Sequence, residues 1–222
     1  MTEGGFFDNL QAMKSVKMQK KLVLSALFAA FICAGCFIQV PLPGGVPIAI
    51  QDMMAMLSGL LLGPVFGGLA VLIFLLLGAI GLPVFTGKAG IHVLVAGPTS
   101  GFLWGYLLAA VLAGTILALF GKVERNQAQD ENGGKTENAG QGSTVGNTKN
   151  AAQWLVITLA ALAATIVLFV LGIAIGMRII NVGLEKALAI FLIPFIPGNV
   201  IKLVLMVVLT KKLRPAILAY TE

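Results

Sequence analysis

Apolar residues in this chain arrive in unbroken blocks, several of them long enough to cross the hydrocarbon core of a bilayer. A backbone in lipid must satisfy its own polar groups, so blocks of this kind read as transmembrane helices. Composition agrees: 58% hydrophobic residues, 11% charged ones and a mean hydropathy of +0.98 do not describe a water-soluble globular domain. The expected fold class is an all-α integral membrane protein made of one compact helical domain.

Six spans are expected. Residues 1–20 form a polar N-terminal segment, with Lys14, Lys17, Lys20 and Lys21 gathered at the membrane edge. Helices one to four occupy residues 21–120. The first runs from about Leu22 to Val40 and stops at Pro41-Leu42-Pro43-Gly44-Gly45, which cannot continue a helix. The second runs from about Pro47 to Leu62, and Gly63-Pro64 turns the chain tightly into a third, Val65 to Ile80. The segment from Gly81 to Gly97 is too short to span and too apolar for an ordinary solvated loop. A fourth span covers about Pro98 to Phe120. Residues 121–150 are polar and read as a flexible linker that cannot bury enough surface to fold. Helices five and six occupy residues 151–213, as Trp154 to Met177 and Ala187 to Thr210, and residues 214–222 form a tail. Pro194 and Pro197 interrupt the sixth block, so the last helix is expected to be broken at its outer end and regular from near Pro197.

Six spans put both termini on one side. With cytoplasmic termini, the inner segments hold eleven basic residues: four before span one, four in the linker, and Lys211, Lys212 and Arg214. The outer segments hold Lys88, Arg178 and Lys186. The positive-inside rule therefore favours a multi-pass cell-membrane protein with cytoplasmic termini. The formal charge of +6 is explained by these flanks, so no nucleic-acid partner is expected, only membrane lipid.

Catalytic and metal chemistry find few tools. His92 is the sole histidine, and Cys33 and Cys36 have no second cysteine pair, so no metal site is expected. Buried, unreactive thiols are the preferred reading of the pair. A lipoprotein signal ending at Ala34-Gly35-Cys36 is disfavoured, because Cys33 stands where leucine is usual and more spans follow. Gly133-Gly134-Lys135-Thr136 echoes a phosphate loop, but Gln129 replaces the required glycine and no strand precedes it. No nucleophile–base arrangement appears, so transport is favoured over catalysis and no catalytic residue or cofactor is expected.

The charges inside the apolar blocks are more informative. Lys202 follows Pro197-Gly198-Asn199 within the last span, and an ammonium there costs roughly 2.5–3.5 kcal/mol on insertion scales. Asn199 and Lys202, three apart, are expected on one helix face, aimed at a substrate. Asp52, beside Gln51 near the outer end of span two, is the other intramembrane charge and the natural counter-ion. A helix start also favours anions, so the expected ligand is small, mostly apolar and carries a carboxylate or another good acceptor. A purely structural Asp52–Lys202 pair is the alternative. Small residues recur at four-residue spacing in Ala26-x-x-x-Ala30-x-x-x-Ala34, Gly63-x-x-x-Gly67, Gly101-x-x-x-Gly105 and Gly172-x-x-x-Gly176, which suits close helix packing. The alanine row also offers a smooth face for another protein. Trp104 and Tyr106 are candidates for stacking on a ligand, with core packing as the plainer role.

Taken together, several of these strings resemble the biotin-specific S component of energy-coupling-factor transporters, the BioY family. The likeness rests on Ala26-Leu27-Phe28-Ala29-Ala30, Val46-Pro47-Ile48-Ala49-Ile50-Gln51, Leu60-Leu61-Leu62-Gly63-Pro64, Leu76 to Phe85, Gly97-Pro98-Thr99-Ser100-Gly101, and Pro194 to Lys202. It covers roughly residues 20–120 and 150–212. The resemblance implies a six-helix S-component bundle with an outward-facing biotin pocket, capped by the segment between helices three and four. Lys202 would then be a substrate ligand, with Gly87, Lys88 and Gly90 in the cap; Asn199, Asp52, Gln51, Thr99, Trp104 and Tyr106 complete the expected substrate site. A membrane T component would dock on Ala26, Ala30 and Ala34, and two cytoplasmic ATPase subunits would power uptake. This chain departs from the family pattern at Asn199, where Asp is usual, and at Asp52, where a small or neutral residue is usual. It also carries Ile91, His92 and Ser100 where glycines are preferred. Asp52 is expected to supply from helix two the charge lost at Asn199. An S component for a different vitamin, or a structural membrane protein, are the competing readings.

Overall fold

The computed structural model describes the backbone over residues 3–40, 48–133 and 144–221, with side chains over 13–38, 49–120 and 152–221. Helices dominate: α1 Glu3–Gly35, α2 Gln51–Ile80, α3 Ile91–Ala96, α4 Ser100–Gly133, α5 Thr144–Ile179, α6 Leu184–Phe191 and α7 Ile196–Thr221. A 3-10 turn, Ile193–Phe195, joins α6 to α7, and two-residue strands β1 Gln39–Val40 and β2 Ile48–Ala49 pair antiparallel. Among the described residues, five stretches are long and apolar enough to cross a membrane: Met13–Gly35, Gln51–Ile80, Ser100–Phe120, Ala152–Ile179 and Leu184–Thr221.

One of these is not a single rod. Gly63, inside α2, has φ 83° and ψ −180°, a conformation that glycine reaches without a Cβ penalty, and Pro64 pre-sets the next helical turn. A Cβ built on Gly67 would lie 2.5 Å from the Cα of Gly59, and the Ser58 hydroxyl donates to the Gly67 carbonyl at 3.1 Å. In a straight helix, residues eight apart stand about 12 Å from each other. The chain therefore reverses at Gly63, and α2 is a hairpin with arms 51–62 and 64–80. Gly114 of α4 packs on the turn itself, where a Cβ would come within 2.5 Å of the Gly63 carbonyl carbon and the Pro64 nitrogen.

The hairpin occupies the middle of the bundle, packed against α1 on one flank and α4 on another; α5 lies against α4, and α7 closes against α2 and α5. The main core includes Ile32, Met56, Phe74, Leu117 and Leu168. A second, smaller core unites Phe169, Ile173, Ala187, Phe191 and Phe195 where α5 meets α6 and the 3-10 turn. The glycine rows of spans four and five face one another: a Cβ on Gly101 would lie 3.1 Å from the Gly172 Cα. Such close approach is the use to which small residues are put in membrane bundles.

Several expected boundaries shift. The first helix ends at Gly35 instead of Val40, because Gly35 abuts the start of α2 (an added Cβ would lie 3.1 Å from the Gln51 Cα) and the chain turns into β1. The second begins at Gln51 instead of Pro47, since Ile48 and Ala49 are paired with β1. The Pro41–Gly45 stop and Pro47 lie outside the described residues. Helical backbone reaches into the stretch read as a linker, to Gly133 and again from Thr144, while 134–143 lie outside the described residues. The tail at 214–222 is, up to Thr221, the end of α7, and Lys20 donates to the Tyr220 carbonyl at 2.8 Å, satisfying one of its terminal acceptors. The break in the last helix stands where the two prolines were expected to put it, between Phe191 and Ile196.

The crowding at the Gly63 turn has a measurable consequence. Gly114→Val pushes two methyl groups into the hairpin backbone and should lower stability by about 1–3 kcal/mol or more, read as a lower melting temperature in detergent. Gly183→Ala, where an added Cβ meets nothing within 4 Å, should leave it unchanged.

Candidate functional site

Lys202 lies in the second turn of α7 and is only 7% exposed. Its Nζ donates to both carboxylate oxygens of Asp52, at 2.8 and 2.9 Å, and to the Ala49 carbonyl at 2.5 Å. An ammonium has three protons to place, and each finds an acceptor. Asp52 stands in the first turn of α2, where the helix dipole favours an anion, and its Oδ1 also accepts the Met53 N–H at 2.8 Å. The short β1–β2 pairing carries the Ala49 carbonyl to the lysine, a contribution that composition does not disclose. Gln51, fully buried next door, donates to the Val84 carbonyl at 2.8 Å and ties the start of α2 to the segment that follows its second arm.

That segment folds over the pair through left-handed residues: Gly81 at φ 131°, Thr86 at 50°, Gly87 at 79° and Gly90 at 98°. Phe85 and Lys88 exchange backbone hydrogen bonds of 2.9 and 3.0 Å, and the Gly90 N–H donates to the Gly78 carbonyl at 2.8 Å. Thr86 is the costly member, since a β-branched residue at positive φ stores about 1–3 kcal/mol of strain and such strain collects at ligand clamps.

Beside the ion pair lies a cavity of about 50 Å³ whose polar lining is Asp52, Lys202, Thr86, Thr99 and Tyr106. The structure thus brings together four residues named from the sequence: Lys202, Asp52, Thr99 and Tyr106. Gln51 acts one layer back as a brace. Gly87 and Gly90 make the turns of the covering segment, and Lys88 is exposed on it. Asn199 does not share the Lys202 face. It lines an apolar groove of about 610 Å³ between α5, α6 and α7. Residues three apart sit about 60° apart around a helix, and the edge of the bundle interior falls between these two. Trp104 also stands outside the cavity lining: 42% exposed, it donates from Nε1 to the Leu94 carbonyl at 3.2 Å and holds α3 on α4.

The remaining walls escaped sequence reasoning: Ala49, Thr86, Phe102, Leu103, Leu168, Phe169 and Phe195. Thr86 adjoins Gly87 and Phe195 lies between the two prolines, so local signals existed for both. Nothing distinguishes Leu168 or Phe169 from other apolar residues of its span. On the far side of α1, Ala26, Ala30 and Ala34 are all exposed, whereas Phe28, Ala29 and Ile32 face the core.

A carboxylate and an ammonium side by side present a strong acceptor and a strong donor to whatever enters the cavity. No cluster of three metal-binding side chains occurs among the described residues. Fold and site together define a helical membrane protein with a small cavity between its spans, walled on one side by a buried ion pair. A model of the BioY family matches residues 10–219, and this chain belongs to that family. It is 35% identical over 196 residues to the biotin transporter BioY of Rhodobacter capsulatus, covering 84% of this chain and 89% of that one. The biotin transporter BioY of Rhizobium etli is 36% identical over 189 residues, covering 83% and 88%. The crystal structure of an S-component for biotin from an ECF-type ABC transporter superposes with a TM-score of 0.69 at 28% identity, covering 97% of this chain and 95% of that one.

Removing one member of a buried ion pair strands the other charge and typically costs about 3–5 kcal/mol. Lys202→Met and Asp52→Leu should therefore each destabilise the protein strongly. The double variant should recover most of that loss, giving a large coupling energy in a double-mutant cycle of thermal unfolding. Additive losses would mean the pair does not hold α7 to α2.

Proposed function

We infer that this chain is the S component that captures biotin for an energy-coupling-factor transporter, a transport subunit and not an enzyme. Membership of the BioY family and near full-length likeness to biotin transporters support this reading. The observation that carries it is the Asp52–Lys202 pair exposed to an enclosed cavity. The ring system of biotin has a ureido edge with N–H donors flanking one carbonyl acceptor. Asp52 can accept from the N–H groups while Lys202 donates to the carbonyl, releasing its bond to Ala49. Thr86 and Thr99 supply hydroxyls nearby, and the apolar walls take the remainder of the ring. In this arrangement Asp52 carries the charge absent at Asn199, and Asn199 stands outside the first contact layer.

The same reading counts six membrane-crossing helices, because the two arms of α2 are separate passes. Four cation contacts support cytoplasmic termini by collecting at one end of the bundle: Lys20 on Tyr220, Lys21 over Phe66, Lys211 over Trp154, and Arg214 on the Leu117 carbonyl. The cavity then opens toward the outside beneath the 81–90 segment. The exposed row of Ala26, Ala30 and Ala34 suits close docking of a membrane T component, and two ATPase subunits on the cytoplasmic side supply the energy.

Mass spectrometry of ligand released from detergent-purified protein should find biotin; a different vitamin would redirect the reading, and an unliganded protein that also fails to bind added biotin would sink it. Asp52→Asn and Lys202→Ala should each weaken biotin binding by about a hundredfold or more, as expected when a charged hydrogen-bond partner is lost. If Asp52→Asn binds biotin like the unaltered chain, the charge exchange with position 199 is wrong. Ala30→Trp should retain biotin yet abolish uptake by the assembled transporter.

A further inference from the structure

The cavity is the difficulty. Sites that hold molecules of vitamin size measure about 300–1,000 Å³, and this one, at about 50 Å³, has room for little more than ordered water. Ligand capture must move a wall. The ion pair is anchored by three hydrogen bonds, Tyr106 packs on Phe74 of the main core at 6.3 Å, and the covering segment is tied down through Val84 and Gly90. Displacing any of these breaks buried polar bonds or opens the principal core.

The α5 wall is different. Phe169 lines the cavity on one side and, on the other, the 610 Å³ groove between α5, α6 and α7. It belongs to the smaller core, and its ring contacts are with Phe102 at 5.8 Å and Phe195 at 6.3 Å. The groove beyond it is lined mainly by apolar side chains such as Ile166, Val170 and Leu203; its polar members are Asn199 and Thr165, whose hydroxyl is already spent on the Ala161 carbonyl at 2.8 Å, so a phenyl ring rotating outward meets a largely apolar surface. Rotation between staggered wells also leaves the principal core packed.

Resting on the biotin reading, we propose that Phe169 is the movable wall of the substrate site. Its ring turns out of the cavity into the α5–α7 groove as a compact, polar-edged bicyclic ligand enters. The groove is the reserve volume of the site, and Phe169 sets how large a ring system the site accepts. It is a specificity-determining residue acting by displacement, distinct from the polar residues that recognise the ligand's edge.

Two measurements test this on the full-length protein in detergent. Ile166→Trp fills the groove from a lipid-facing position, 54% exposed and outside the cavity lining, and should slow biotin association and weaken affinity by about tenfold. Val170→Cys, in a Cys33→Ala/Cys36→Ala background, lines the groove that the ring would enter and should react several-fold more slowly with a lipid-soluble maleimide when biotin is bound. Leu159→Cys, 49% exposed on the same helix and outside the groove lining, should react at the same rate with and without it. Undiminished association in Ile166→Trp, or labelling at position 170 indifferent to bound biotin, would overturn the movable wall. Should Val170→Cys fail to fold, the Ile166→Trp association rate alone decides. Failure of the unaltered chain to bind biotin would instead strike at the functional reading itself.

Discussion

An ammonium group held in the interior of an apolar bundle is the constraint around which this protein is arranged. Lys202 cannot remain charged there without acceptors, and the fold delivers three, from the first turn of α2 and from the carbonyl of Ala49. Each acceptor imposes a condition on the chain. Asp52 must begin a helix, so the chain has to turn out of α1 before Gln51. The Ala49 carbonyl must be aimed, which the two-residue β pairing accomplishes. Gln51 then fixes the following segment over the top through Val84. Pair, strand contact and cover form one hydrogen-bonded unit, which is also the polar rim of the cavity.

The bundle is built to bring the ends of that unit together. The hairpin reversal at Gly63 lets α2 pass twice through the middle, and Gly59, Gly67 and Gly114 allow the backbones to approach almost to contact. Without side chains at those positions the arms lie close enough for α1, α4 and α7 to surround them. Rigidity is unevenly distributed as a result. The hairpin core is dense and continuous, whereas the α5–α6 corner has its own small aromatic core beside a wide groove. The polar edge of the cavity rests on the larger core, and the proposed movable wall belongs to the smaller one.

Much of the site was legible because charges inside apolar blocks are costly and therefore conspicuous. Lys202, Asp52 and the proline-broken start of the last helix could be named from residue type and position alone; that the segment after Ile80 is a cap came only from the family resemblance. The expectation that Asn199 shares the Lys202 face did not hold, because residues three apart on a helix face nearly but not quite the same way. The bundle boundary passes between it and Lys202. Trp104 stands away from the cavity because aromatic character does not fix which side of a helix a residue occupies; here the indole N–H serves α3. Phe169 left no trace at all, being one apolar residue among many.

What the sequence determined by itself is the membrane class, the approximate extent of the apolar helices, the breaks at Gly63-Pro64 and before the last helix, and the identity of the two buried charges, since each follows from the cost of exposing polar groups to lipid. What only the tertiary structure decided is which groups meet: the Ala49 carbonyl on Lys202, the doubling back of α2 through glycine contact, and a thin aromatic wall between cavity and groove. These depend on helix rotation and crossing. Both are set by packing summed over the whole bundle, which no local stretch of residues encodes.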